Sequence, residues 1–139
     1  EKIKTIGDAY LAVCGLPLKT NNHAHQTVLA ALDILEYVRE KAQRNEGNAL
    51  DIRIGIHSGS LVAGIVGVKK FAYDIWGDTV NTAARLEQNS LPGKINISET
   101  TYQLVKDYYI FEDRGLVEAK GKGEIPMYFV KSTKQEYQA

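Results

Sequence analysis

Residues 73–85 read Tyr73-Asp74-Ile75-Trp76-Gly77-Asp78-Thr79-Val80-Asn81-Thr82-Ala83-Ala84-Arg85. Phe71 to Trp76 is aromatic and β-branched, which predicts a strand. Gly77-Asp78 breaks it, and Asp78 reads as the N-cap of a helix that opens at Thr79 and runs to Gln88. On that helix Asn81 and Arg85 stand four residues apart, so they project from one face, one above the other. A carboxylate at the strand end, an amide and a guanidinium then converge on one spot. Such a set can hold a purine nucleotide, with Asp74 accepting from a base amino group and Arg85 meeting phosphate charge.

Working outward, Ile3 and Thr5 fall on one face of an opening strand and Lys4 and Ile6 on the other. Gly7-Asp8 and then Tyr10-Leu11-Ala12-Val13-Cys14 complete a hairpin that turns near Asp8. Gly15 to Asn22 is a loop. His23 to about Arg44 is the clearest helix, with Val28, Ala31, Leu32, Leu35 and Val38 at helical spacing and Glu46-Gly47-Asn48 as its stop. Leu50 to Ile56 and Ser60 to Val66 read as strands around a Ser58-Gly59 turn. Lys94 to Ile97 is a strand, Ser98-Glu99-Thr100-Thr101 starts a short helix to about Lys106, and Tyr109 to Arg114 and Met127 to Lys131 are the last strands. The order predicts an α+β sandwich with helices over one antiparallel-rich sheet. The polar stretch Ser132 to Ala139 is expected to fray.

At 139 residues the chain makes one domain with a sizeable core. Lys plus Arg (17) equals Asp plus Glu (17), so nothing global argues for nucleic acid or an anionic membrane as partner. A nucleotide site must draw its positive charge locally. No run approaches the ~18 apolar residues of a spanning helix, and no secretory signal opens the chain. The single cysteine, Cys14, cannot form an internal disulfide and reads as a small core residue, with a reducing, cytoplasmic setting as the default.

The 73–85 stretch resembles the substrate-binding segment of the class III nucleotide cyclases, the adenylyl and guanylyl cyclase catalytic domains. Glu1-Lys2-Ile3-Lys4-Thr5-Ile6-Gly7-Asp8-Ala9-Tyr10 resembles that family's metal-binding hairpin. Arg53-Ile54-Gly55-Ile56-His57-Ser58-Gly59 and Val62-Ala63-Gly64-Ile65-Val66-Gly67 resemble its central strands, and Ala119-Lys120-Gly121-Lys122-Gly123-Glu124 its late phosphate-binding hairpin. The resemblance implies a ferredoxin-like nucleotide cyclase fold over residues 1–131, with 132–139 as a polar tail. It also implies that the chain opens in mid-motif, N-terminally truncated. The family's preceding strand and helices carry the first metal carboxylate and part of the dimer contact, and membrane or sensor domains would belong to a parent protein.

By the same resemblance, Asp8 is a ligand of two Mg²⁺ or Mn²⁺ ions on a triphosphate, although on its own it also reads as a turn aspartate bonding its own backbone. Lys4 and Asp74 are the base-reading pair, a donor and an acceptor that complement N1 and N6 of adenine; guanine reverses both atoms. Guanylyl cyclases of the family carry Glu where this chain has Lys4 and typically Cys where it has Asp74, so ATP is the expected substrate. Asn81 orients the ribose and Arg85 meets the α-phosphate. Lys120 holds the terminal phosphates, with Lys122 as the competing assignment. The family builds its site from two subunits, so a homodimer with two shared active sites is implied and a monomer should be inactive. Lys4 and Asp8, about 13 Å apart along a strand, would then serve opposite sites.

His57-Ser58 does not read as a nucleophile pair, since no acid is placed to orient the histidine. Gly64 and Gly67 do not form a Walker loop, because no Gly-Lys-Ser/Thr follows at the needed spacing. The expectation is an adenylyl cyclase. Its rivals are a guanylyl cyclase and a non-catalytic cyclase-like regulatory or dimerisation module.

Overall fold

The alternation at the start of the chain folds as an antiparallel hairpin of β1 (Lys2–Ile6) and β2 (Ala9–Ala12). The computed structural model describes residues 1–6, 9–15, 22–44, 52–67 and 72–134; the Gly7-Asp8 turn, the Glu46-Gly47-Asn48 stop and Phe71 lie outside them. The register slips inside β1, where Lys2 pairs with Ala12 but Lys4 with Leu11. A bulge of this kind re-aims the side chains beside it.

Helix α1 (His23–Gln43) buries Ala24, Val28, Ala31 and Leu35, a single stripe at i, i+4, i+7 and i+11. The stripe packs on Ile56, Ile95, Ile97, Val105, Tyr109 and Val130. These come mostly from a sheet in the order β3 (Ile54–Ile56), β6 (Ile95–Ser98), β8 (Gly123–Thr133), β7 (Tyr109–Ala119). β3 runs parallel to β6, and the other neighbours are antiparallel. All of β6 is buried, as expected for an interior strand covered on both sides. Ser98 ends it and caps α3 (Glu99–Val105), its hydroxyl accepting from the Thr101 N–H.

Side chains alternate across these strands, so the second face needs its own cover. Helix α2 (Asp78–Gln88) supplies it, packing Leu86 with Ala119 and Met127. The remaining strands, β4 (Val62–Val66) and β5 (Ala72–Trp76), pair with each other and, among the described residues, with no other strand. Among the described residues, hydrogen bonding therefore divides the strands into groups of two, four and two. The strands flanking Ser58-Gly59 are not partners, because Ile54 and Ile56 take up the α1 stripe beside Ile95 and Ile97. β7 and β8 also extend further than the apolar pattern predicts, since the hairpin continues through mostly exposed positions to Lys120-Gly121-Lys122.

Candidate functional site

Lys4 and Asp74 meet. The Lys4 Nζ donates to Asp74 Oδ2 at 2.9 Å, and the Ile75 N–H donates to Asp74 Oδ1 at 2.8 Å. Two donors thus fix the carboxylate plane on β5, opposite Gly64 of β4. The Lys4 bond first, and the Ile75 N–H second, hold Asp74 below its ordinary carboxylate range, so it is ionised at neutral pH. Both groups remain reachable: 42% of the Lys4 side chain and 21% of the Asp74 side chain are exposed.

β5 hands over to α2 at Gly77, whose φ of 122° is open to glycine and strained for other residues. The first helical bond runs from the Asn81 N–H to the Gly77 carbonyl, which puts Gly77 at the N-cap position. Asp78 is therefore not the cap that the sequence predicted. It lies in the first helical turn, and its carboxylate pairs with the Lys122 ammonium. Thr79 is held by its hydroxyl on the Ser60 carbonyl.

Asn81 is exposed, one turn before Arg85. Arg85 turns to the β7–β8 hairpin, its Nε donating to the Lys120 carbonyl at 2.9 Å and its Nη1 to Gln88 Oε1 at 2.8 Å. The two lysines of the hairpin separate by role. Lys120 offers its carbonyl to Arg85 and is itself exposed, whereas Lys122 is engaged by Asp78. The candidate residues thus assemble as two pairs, Lys4 with Asp74 and Arg85 with the Lys120 segment, and α2, which follows β5, carries both Arg85 and Asn81.

Three supporting residues escaped the sequence reading. Gly55 on β3 lies so close to α2 that a Cβ there would stand 2.1 Å from the Glu87 nitrogen and 2.6 Å from the Leu86 carbonyl carbon. A glycine inside a strand is the available signal for such an approach. Asn96, fully buried on β6, donates to the Leu86 carbonyl at 2.9 Å and accepts from Arg114 Nη1 at 3.1 Å. Gln88, beside Arg85, carries no signal in sequence. His57, set aside as a nucleophile partner, places Nδ1 2.7 Å from Ser98 Oγ; burial, and then the nearby Lys122 charge, push its pKa down.

A cavity of about 400 Å³ lies between β2, β3 and the start of α2, lined by Tyr10, Leu11, Gly55, His57, Ser58 and Thr79 among others. None of Lys4, Asp74, Asn81, Arg85 or Lys120 lines it. Asp8 lies outside the described residues. Among the described residues no three acidic, histidine or cysteine side chains cluster as a metal site would require, so these residues alone do not make one.

The profile of the adenylate and guanylate cyclase catalytic domain matches residues 1–132, and the chain belongs to that family. It is 45% identical to the receptor-type guanylate cyclase gcy-28 of Caenorhabditis elegans over 136 residues, covering 96% of this chain and 11% of that protein. It is 39% identical to the germination-specific adenylate cyclase of Dictyostelium discoideum, covering 96% of this chain and 16% of that protein. Among solved structures, the guanylate cyclase domain of RhGC from Catenaria anguillulae in complex with GTP superposes with a TM-score of 0.89 at 42% identity, over 96% of this chain and 72% of that one. The fold is thus the α+β cyclase fold, and both adenylyl and guanylyl cyclases are among the relatives. Cyclases of this class generally use divalent metal ions.

Proposed function

We propose that this chain is an adenylyl cyclase catalytic domain that converts ATP to 3′,5′-cyclic AMP and pyrophosphate in the cytoplasm. The observation that carries the reading is the Lys4–Asp74 pair at 2.9 Å. An ammonium has three protons and a carboxylate oxygen two lone pairs, so their mutual bond leaves each able to take a further partner. One donor and one acceptor stay side by side, matching N1 and N6 of adenine. Guanine would set donor against donor and acceptor against acceptor, a mismatch worth discrimination on the order of a thousandfold.

Asn81 orients the ribose, and Arg85 meets the α-phosphate as charge builds there. Lys120 takes the terminal phosphates. The ribose 3′-oxygen attacks the α-phosphorus in line and pyrophosphate leaves, with no covalent enzyme intermediate. Mg²⁺ or Mn²⁺, two ions per site, belong to the same reading, with Asp8 as their ligand from this chain. The active species is a homodimer sharing its sites.

A guanylate cyclase that is 45% identical supports the competing reading, GTP to cyclic GMP. The test is to assay the purified full-length protein, with the segment preceding this chain included, with Mn²⁺ on ATP and GTP in parallel, across protein concentration. The expected result is cyclic AMP alone, with specific activity rising as dimer forms and kcat falling by about 10²–10³ in Arg85→Ala. Lys4→Glu with Asp74→Cys should move preference toward GTP. Equal turnover of both nucleotides by the wild type would overturn the assignment of ATP. No product from either, from a folded dimer, would sink the catalytic reading.

A further inference from the structure

The tip of the β7–β8 hairpin makes two polar contacts with α2, and the residues involved are seven apart on the helix. Near its start Asp78 pairs with Lys122, and two turns later the Arg85 Nε donates to the Lys120 carbonyl at 2.9 Å. Residues at i and i+7 lie on one helix face, so the hairpin tip runs along that face. The tip is a tight turn, closed by the Lys122 N–H on the Ala119 carbonyl at 2.9 Å. Lys120 and Lys122 are therefore part of one small rigid unit. The Lys120 carbonyl can hold Arg85 only while this unit is drawn against α2.

Two features separate this contact from ordinary surface pairing. The Lys122 side chain is only 22% exposed although its partner Asp78 is 80% exposed, so its stem packs on the protein while its ammonium meets the exposed carboxylate. Its charge also reaches His57 in the β3–β4 connection, so the tip is seated on the same corner of the fold as the helix start. The body of the hairpin is already buried against α2 by Leu86, Ala119 and Met127, and a pair whose carboxylate is 80% exposed adds little to stability.

We propose that the Asp78–Lys122 ion pair is a latch that positions the phosphate end of the site, seating the hairpin tip so that the Lys120 carbonyl orients Arg85 and the Lys120 ammonium is left free for the terminal phosphates. The inference rests on the cyclase reading above. Asp78 and Lys122 are positioning residues that act through Arg85 and Lys120. The latch also decides between the two lysines: Lys122 serves the fold of the tip and Lys120 serves the substrate.

The test is a double-mutant cycle of Asp78→Asn and Lys122→Gln in the full chain, read by kcat, KM and hydrogen exchange at the tip amides. Each single variant should lower kcat by about ten- to a hundredfold, the scale of a misplaced catalytic group. The double variant should be no worse than either single one. Exchange at residues 121–123 should quicken in all three, while Asp78→Glu and Lys122→Arg, which keep the pair, retain activity within about twofold, as expected for coupled neighbours. Additive losses in kcat, an unchanged kcat in Asp78→Asn, or a Lys122→Gln effect confined to KM would each overturn the latch. The last of these would make Lys122 a phosphate ligand. Absence of cyclase product from the wild type defeats the functional reading instead, and the exchange data then show whether the tip contact exists without it.

Discussion

Charge at the level of single residues is set in opposite directions on the two sides of α2. Asp74 is held ionised by Lys4 and the Ile75 N–H, so its charge is present throughout the neutral range and is lost only as pH falls below the ordinary carboxylate range. His57 is held neutral, by burial first and by Lys122 second. Its folded pKa lies below the unfolded value of about 6.5, so the unfolded chain binds the extra proton between the two values. The stability linked to His57 is therefore complete above about pH 6.5 and declines as pH falls through the folded pKa. Thermal melts of the wild type should shift downward from pH 7 toward pH 5 more steeply than those of His57→Asn, which keeps a polar group facing Ser98 but cannot take up the proton. Equal slopes would mean that His57 is not the titrating group.

Among the elements, α2 matters most, because it carries Asn81 and Arg85 and is fixed from beneath by β3. The close approach at Gly55 makes that fixation testable. A methyl group at this position would meet helix backbone at 2.1 and 2.6 Å, and backbone cannot rotate aside as a side chain can. Gly55→Ala should destabilise by about 1–3 kcal/mol, the cost of overpacking. It should also lower kcat beyond the loss of folded protein, because α2 must shift with its two site residues; denaturant melts and active-fraction kinetics separate the two effects. Ala at Gly93, where no heavy atom lies within 4 Å of an added Cβ but φ is +77°, would show backbone strain without displacement of α2.

The start of α2 marks where local reading stops. A strand, a break and a helix with Asn81 and Arg85 on one face are legible in residues 71–88, because periodicity and turn residues are local signals. The cap is not, since Asp78 is a good cap by residue type and only the position of Lys122, forty-four residues on, turns it to another partner. The bulge that re-aims Lys4 and the full reach of the β7–β8 hairpin were missed for the same reason. Both depend on pairing across the sheet rather than on any pattern within one strand.

At the scale of the whole molecule the α+β class follows from the order of elements, but strand pairing and the placement of α2 on its own face come from long-range packing that no single window contains. Residue chemistry alone suggested Asp74 and Arg85 for a nucleotide, the roles of Lys4, Asn81 and Lys120 came from the motif resemblance, and the fold pairs four of the five, Lys4 with Asp74 and Arg85 with the Lys120 carbonyl. Asp8 lies outside the described residues, and its function is read through the assembly. The β4–β5 pair leaves Val62, Val66 and Trp76 exposed on one face and Ile65 on the other, apolar surface of the kind that a second subunit covers. If each site takes Asp8 from one protomer and Arg85 from the other, Asp8→Ala and Arg85→Ala should each be inactive alone. A mixed dimer would hold one site with both intact residues and one with neither. Random exchange makes half of the dimers mixed, with one working site of two, so the mixture should recover about a quarter of wild-type activity. Recovery is read by mixing the two purified variants, allowing subunits to exchange and measuring cyclic nucleotide formation. No recovery despite demonstrated exchange would place both residues in the same protomer's site and remove the shared-site dimer from the mechanism.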